Sequence, residues 1–173
     1  MLHTVMPLGS PSHRLRFPFT GAHVVLLLDL LEESESGDRA KVFDIGLLAE
    51  RLQSAGNWLA EQPRTKDLPL GYFGASTGAA AALVAAVNSP TLVKAVVSRG
   101  GRPDLASHFL LSVRAPTLLI VGDADIVTPE HAVEMFRAIP NSQLCVVPNA
   151  GHGVMPDETV LKFLQDDAAV NTT

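Results

Sequence analysis

The stretch Gly71-Tyr72-Phe73-Gly74-Ala75-Ser76-Thr77-Gly78-Ala79-Ala80 decides the fold. A strand-like run gives way to Gly-x-Ser-x-Gly and then to a series of small residues suited to a helix. This is the form of a nucleophile elbow, in which a serine is held on a sharp turn from strand to helix. The serine backbone at such a turn is strained by about 1–3 kcal/mol. Its neighbours two positions away on either side must also approach each other closely. Gly74 and Gly78 carry no Cβ, so that approach is open to them. The same pattern arises in glycine-rich turns without chemistry, and two features further along the chain separate the cases.

Outward from the elbow, short apolar runs alternate with helix-length amphipathic segments. This predicts an α/β chain with a mostly parallel open sheet and helices on both faces. Upstream, His23–Leu30 is a near-continuous apolar run, as expected of a strand covered on both sides. The polar run Glu32–Asp38 reads as a solvated loop. Asp44 caps a helix reaching about Gln62. Ile45, Leu48, Leu52, Ala55 and Leu59 form its buried stripe, and Trp58 flanks that stripe as a core or boundary aromatic. Pro63 ends the helix. The elbow strand is read as Leu68–Phe73 and its helix as Gly78–Asn88. Strands follow at Val93–Ser98, Thr117–Val121 and Gln143–Val147, with helices at Pro129–Ala138 and Glu158–Gln165.

The chain has 173 residues, which predicts a single domain over 1–173 with a sizeable core. A net charge of -5 without a basic cluster argues against nucleic acid as a partner. Cys145 is the one cysteine, so no internal disulfide is available; it sits in an apolar run and reads as a small core residue. No leader-like or membrane-spanning segment is visible, which predicts a soluble, cytoplasmic protein without membrane association. His3, His13, His23, His108 and His131 show no metal-ligand spacing, and no metal or cofactor is expected.

Two loops complete the constellation. Gly122-Asp123-Ala124-Asp125 follows the strand at 117, and Asn149-Ala150-Gly151-His152-Gly153 follows the strand at 143. Ser76, the acid and His152 thus all stand just past the C-terminal ends of strands, where open α/β sheets form their ligand sites. A serine hydroxyl needs an adjacent base at neutral pH. His152 suits that role, with a carboxylate to fix its tautomer and steady its charged form. Asp125 is the preferred acid; Asp123 competes with it, and either would also suit a helix cap. Arg99 and Arg102 flank a Gly-Gly turn and read as solvated turn residues, with a substrate anion as the other reading.

On these residues the chain resembles the α/β-hydrolase superfamily, and within it the dienelactone-hydrolase-like group. The carriers are Val25–Leu31, Phe43–Leu52, Gly71–Ala82, the Val97–Pro103 turn, Gly122-x-x-Asp125 and Gly151-His152. The resemblance implies a reduced α/β-hydrolase fold and ester or lactone hydrolysis without metal or organic cofactor. Dienelactone hydrolases proper use a cysteine where this chain has Ser76, so a serine carboxylesterase with small-molecule ester substrates is the better transfer. It also implies an oxyanion hole built from the Thr77 backbone N–H and a donor near Gly9. The family's usual strands before His23 are shortened here to Leu2–Met6, placed beside the elbow strand by the superfamily's order. The shortened sheet predicts a homo-oligomer that covers an exposed edge. A degenerate hydrolase fold acting as a binding or interaction domain is the competing reading.

Overall fold

The computed structural model describes residues 2–5, 26–102, 105–125, 129–153 and 156–166. Six strands form one sheet. In chain order they are β1 (Leu2–Val5), β2 (Leu27–Leu28), β3 (Leu70–Ala75), β4 (Val93–Arg99), β5 (Thr117–Gly122) and β6 (Ser142–Val147). Their spatial order is β2-β1-β3-β4-β5-β6, and every pairing is parallel. The expected N-terminal strand is present and lies between β2 and the elbow strand, with Thr4 opposite Phe73 and Val5 opposite Gly74.

Parallel strands require crossovers, and the helices supply them. They are α1 (Arg39–Val42), α2 (Ile45–Glu61), α3 (Thr77–Asn88), α4 (Pro129–Ala138) and α5 (Asp157–Asp166). A 3-10 turn covers Ser107–Ser112. Strand alternation divides the core between the two faces. Tyr72, Val96 and Leu119 pack with α2, α3 and residues of α4. Phe73, Ala95, Val97, Leu118 and Ile120 pack against Val160 and Phe163 of α5.

α2 starts where the sequence predicts, with the Asp44 carboxylate accepting the Leu47 N–H at 3.0 Å. α3 is buried from Thr77 to Ala86. Its alanines bring the helix close to the sheet and hold the turn at its N-terminus between β3 and β4.

Several expectations are corrected. The strand expected at His23–Leu30 is β2, only Leu27–Leu28 among the described residues. Leu30 and Leu31 leave the sheet and bury in the core, with Arg51 of α2 donating to the Leu30 carbonyl at 2.8 Å. Glu35, in the run read as solvated, is buried to 9% exposure. It accepts from Arg51 at 2.5 and 3.1 Å, from Lys41 at 2.8 Å and from the Glu32 N–H at 3.0 Å. Those partners hold its carboxyl well below the usual range, the Arg51 hydrogen bonds contributing most. Trp58 stands 55% exposed, outside the core. α1 and the 3-10 turn are additional elements. Among the described residues no helix is long and apolar enough to cross a membrane.

Candidate active site

β3 delivers Ser76 at its C-terminal end, at the point where the sheet order reverses between β1 and β3. Crevices of open α/β sheets form at such switch points. Ser76 has φ 51 and ψ −121, a left-handed conformation rare for a residue with a Cβ. The close approach read from the sequence is real: a Cβ on Gly74 would overlap the backbone of Gly78 and Ala79. The Ser76 N–H donates to the Arg99 carbonyl at 3.2 Å, and its own carbonyl accepts from the Ala79 N–H at 3.1 Å. The turn is thereby fixed to β4 on one side and to its helix on the other. Thr77, the first residue of α3, is buried. The first backbone N–H groups of a helix have no intrahelical partner, so Thr77 offers a donor beside Ser76.

The loops after β5 and β6 are fastened to each other. Asp123 N–H donates to the Val147 carbonyl at 3.1 Å and Ala124 N–H to the Ala150 carbonyl at 3.0 Å. Ala150 N–H donates to Asp123 Oδ1 at 3.3 Å. Gly122 lies so close to the Ala150 carbonyl that no Cβ would fit. The two acids therefore differ in environment. Asp123 holds backbone, whereas Asp125 meets the imidazole: His152 Nδ1 is 2.9 Å from Oδ1 and 3.1 Å from Oδ2. The Asp125 side chain is fully buried and that of His152 is 41% exposed. A buried carboxylate on one ring nitrogen favours the tautomer with its proton there and leaves the other nitrogen as the proton acceptor.

Gly100 joins the two halves. It follows Arg99, has φ +51, and donates its N–H to the Ile120 carbonyl at 2.8 Å. A Cβ there would stand 2.9 Å from His152 Cε1 and Nδ1 and 3.0 Å from Asp125 Oδ2. The ring thus rests on the Gly100 backbone, one residue from the carbonyl that anchors Ser76. Among the described residues no hydrogen bond joins the Ser76 hydroxyl to the His152 ring. Such bonds are often long in unliganded sites and tighten around substrate. Gly9, expected near a second oxyanion donor, lies outside the described residues.

The role of Gly100 is absent from the sequence reading. Its signal is the Gly100-Gly101 pair at a strand end, which gives no hint of the distant ring. Arg99 and Arg102 are not simply solvated. Arg99 is half-buried, and Arg102 lies over the Phe43 ring at 5.9 Å from its centroid, with Arg39 at 5.6 Å. A separate groove of about 480 Å³, lined in part by Leu28, Leu31, Leu47 and Arg51, includes none of Ser76, Asp125 and His152.

Comparison with known proteins fits this architecture. The dienelactone hydrolase family matches residues 35–171. A Mycobacterium tuberculosis protein provisionally named a phosphoribosyl transferase is 55% identical over 151 residues, covering 83% of this chain and 34% of that protein. An uncharacterized protein of the same organism is 30% identical over 177 residues, covering 84% of this chain and 61% of that one. The chain thus spans about a third of the length of the first of these relatives. The dienelactone hydrolase of Anabaena variabilis superposes with a TM-score of 0.74 at 42% identity, covering 82% of this chain and 71% of that one. Est1E of Butyrivibrio proteoclasticus shares the fold at 13% identity, with a TM-score of 0.72 over 97% of this chain and 88% of that one. The family match extends over most of the chain and takes in the elbow, the acid loop and the histidine loop: the chain belongs to the dienelactone hydrolase family.

Proposed function

We propose that the chain is a single-domain serine carboxylesterase that hydrolyses short-chain carboxylic esters or lactones through an acyl-enzyme. The observation that carries the reading is the Asp125 carboxylate on His152 Nδ1 at 2.9 and 3.1 Å, on the same sheet edge as the strained Ser76. In this scheme the Asp125 carboxylate accepts a hydrogen bond from Nδ1–H, which keeps the proton on Nδ1 and leaves Nε2 basic. Ser76 Oγ attacks the ester carbonyl as Nε2 takes its proton. The tetrahedral oxyanion is met by the Thr77 N–H at the positive end of α3. His152 returns the proton to the leaving alkoxide, and water then hydrolyses the acyl-serine by the same proton transfers. No cofactor is called on. One oxyanion donor contributes about 10²–10³ in turnover. With Thr77 as the donor in hand and Gly9 as the second candidate, modest activity is expected.

The phosphoribosyl transferase name belongs to a protein of which the match is 34%, and nothing in the present scheme calls on that activity. A hydrolase unit working beside a second activity in one polypeptide accounts for both names. The working setting is taken as the cytoplasm. A homo-oligomer is also expected: β2 is the terminal strand of the described sheet, with Leu27 exposed, and Trp58 stands out from α2. A monomeric mass by light scattering at micromolar concentration would end that expectation.

The test of the activity is direct. The wild-type chain should hydrolyse p-nitrophenyl acetate and take a fluorophosphonate label on Ser76, and Ser76→Ala should do neither. Equal hydrolysis by both proteins refutes the scheme. A wild type that neither labels nor hydrolyses favours a binding module on a degenerate fold.

A further inference from the structure

The side chain of Arg99 is unexplained by folding. Its backbone already serves the sheet, paired with Ala75 on one side and Ile120 on the other, and its carbonyl anchors Ser76. Any residue would supply those groups. The guanidinium is nevertheless half-buried, and burial pushes its pKa down, with Asp125 acting in the opposite direction. Its Nε is sealed from solvent and has no hydrogen-bond partner among the described residues. Nη1 makes one long bond, 3.5 Å, to the carbonyl of Gly153, the residue after His152. Withdrawing a cation from water for one long bond is unfavourable unless something else is gained.

The gain lies in where the side chain ends. Gly100 lies close to the imidazole at its Cε1 and Nδ1 edge. Arg99 reaches the same loop at Gly153. Its positive charge is also favoured by the Asp125 carboxylate. The exposed histidine loop is otherwise fastened at its base, through Ala150 to Asp123 and Ala124, and at His152 by the ring's contact with Asp125. Among the described residues Arg99 is the side chain that bonds to it at Gly153. We propose that Arg99 is a positioning residue: through Gly153 it fixes the tip of the histidine loop, so that the strand end anchoring Ser76 also sets the attitude of the imidazole. This rests on the esterase scheme for its catalytic meaning, although the loop contact stands apart from it.

The test uses the full chain as wild type, Arg99→Ala and Arg99→Lys. Imidazole NMR signals are recorded, with that of His152 assigned by its loss in His152→Asn, together with melting temperature and p-nitrophenyl acetate kinetics. Arg99→Ala should shift or broaden the His152 Cε1 signal. It should also lower kcat about tenfold with KM changed less than about twofold, as for a misplaced base. Arg99→Lys, which keeps a cation and a donor, should move both readouts back toward wild type. A His152 signal and kcat unchanged in Arg99→Ala overturn the proposal. So does a lowered melting temperature with the His152 signal unmoved, which marks a merely structural arginine. A wild type that hydrolyses no ester removes the esterase scheme, and the imidazole signal still decides the part played by Arg99.

Discussion

Replacing Tyr72 by phenylalanine should make the protein more stable. Tyr72 is the chain's only tyrosine and is completely buried on β3. Its hydroxyl has no hydrogen-bond partner among the described residues. A buried hydroxyl without a partner costs about 1–3 kcal/mol. The void left by one oxygen costs less than about 1 kcal/mol. The net gain is about 1–2 kcal/mol, or about 2–8 °C in melting temperature for a chain of this size. The hydroxyl faces Gly56 in the middle of α2, where a Cβ would overlap it. Gly56→Ala alone should therefore cost about 1–3 kcal/mol through overpacking. With Phe at 72 the nearest neighbours of that Cβ are Leu70 Cδ2 at 3.1 Å and ring Cζ at 3.3 Å. Those contacts are tight but adjustable. Alanine in a helix interior is also about 1 kcal/mol better than glycine. The double-mutant cycle should show a favourable coupling of about 1–2 kcal/mol. Burial also pushes the Tyr72 hydroxyl up to about 12. The unfolded chain releases this proton near pH 10. The folded state binds it more tightly, so stability falls as pH rises from about 10 to about 12, by about 3 kcal/mol in all. Tyr72→Phe should lack this component. Urea melts at neutral and alkaline pH measure both effects, and near-ultraviolet phenolate absorbance reports this one group. A Tyr72→Phe protein destabilised by more than about 1 kcal/mol, with an unchanged alkaline slope, would refute the reasoning.

Other outcomes follow from the site and its surroundings. Asp125→Asn should lower kcat by about 10²–10⁴, because the amide favours the wrong imidazole tautomer. Asp123→Asn, which touches backbone only, should cost less than about tenfold. Comparable losses in the two variants would contradict the assignment of the acid. Gly100→Ala places a Cβ 2.9–3.0 Å from the ring and carboxylate at φ +51. It should lower the melting temperature by several degrees, at about 1–2 kcal/mol for the left-handed backbone, and reduce kcat at least about tenfold; unchanged kinetics would show that the ring rests elsewhere. Glu35→Gln should destabilise the fold at neutral pH. Because the Glu35 carboxyl is held low when folded, its contribution is present above the ordinary value of 4.5 and fades as pH falls below it. The acid limb of stability should therefore be shallower in the variant, as measured by thermal melts at stepped pH.

The elbow and α2 were legible because their determinants are local. Gly74, Ser76 and Gly78 lie within five residues, and Asp44 caps a helix it adjoins. The loop acids and His152 were legible as positions at strand ends. What escaped were features set by distant partners. Glu35 looks like one of several solvated acids until Arg51, sixteen residues away, is brought against it. Trp58 borders an apolar stripe, and only the packing of α2 on α3 decides that it faces outward. Gly100 carries no sign of the ring it supports, because His152 lies 52 positions further on. Leu30 and Leu31 extend an apolar run that reads as strand, but their backbone is drawn from the sheet by a side chain of α2.

The stitching of the turns after β5 and β6 gives the molecule an unequal joint. In the proposed scheme acid and base share these stitched turns, whereas the hydroxyl sits on the elbow, and β4, through its end at 99–100, bonds to both sides. Gentle warming or mild denaturant should therefore separate hydroxyl from ring before it parts ring from carboxylate. An inactive but still folded population would be expected there, its Nδ1 proton remaining in the far-downfield NMR window after turnover has ceased.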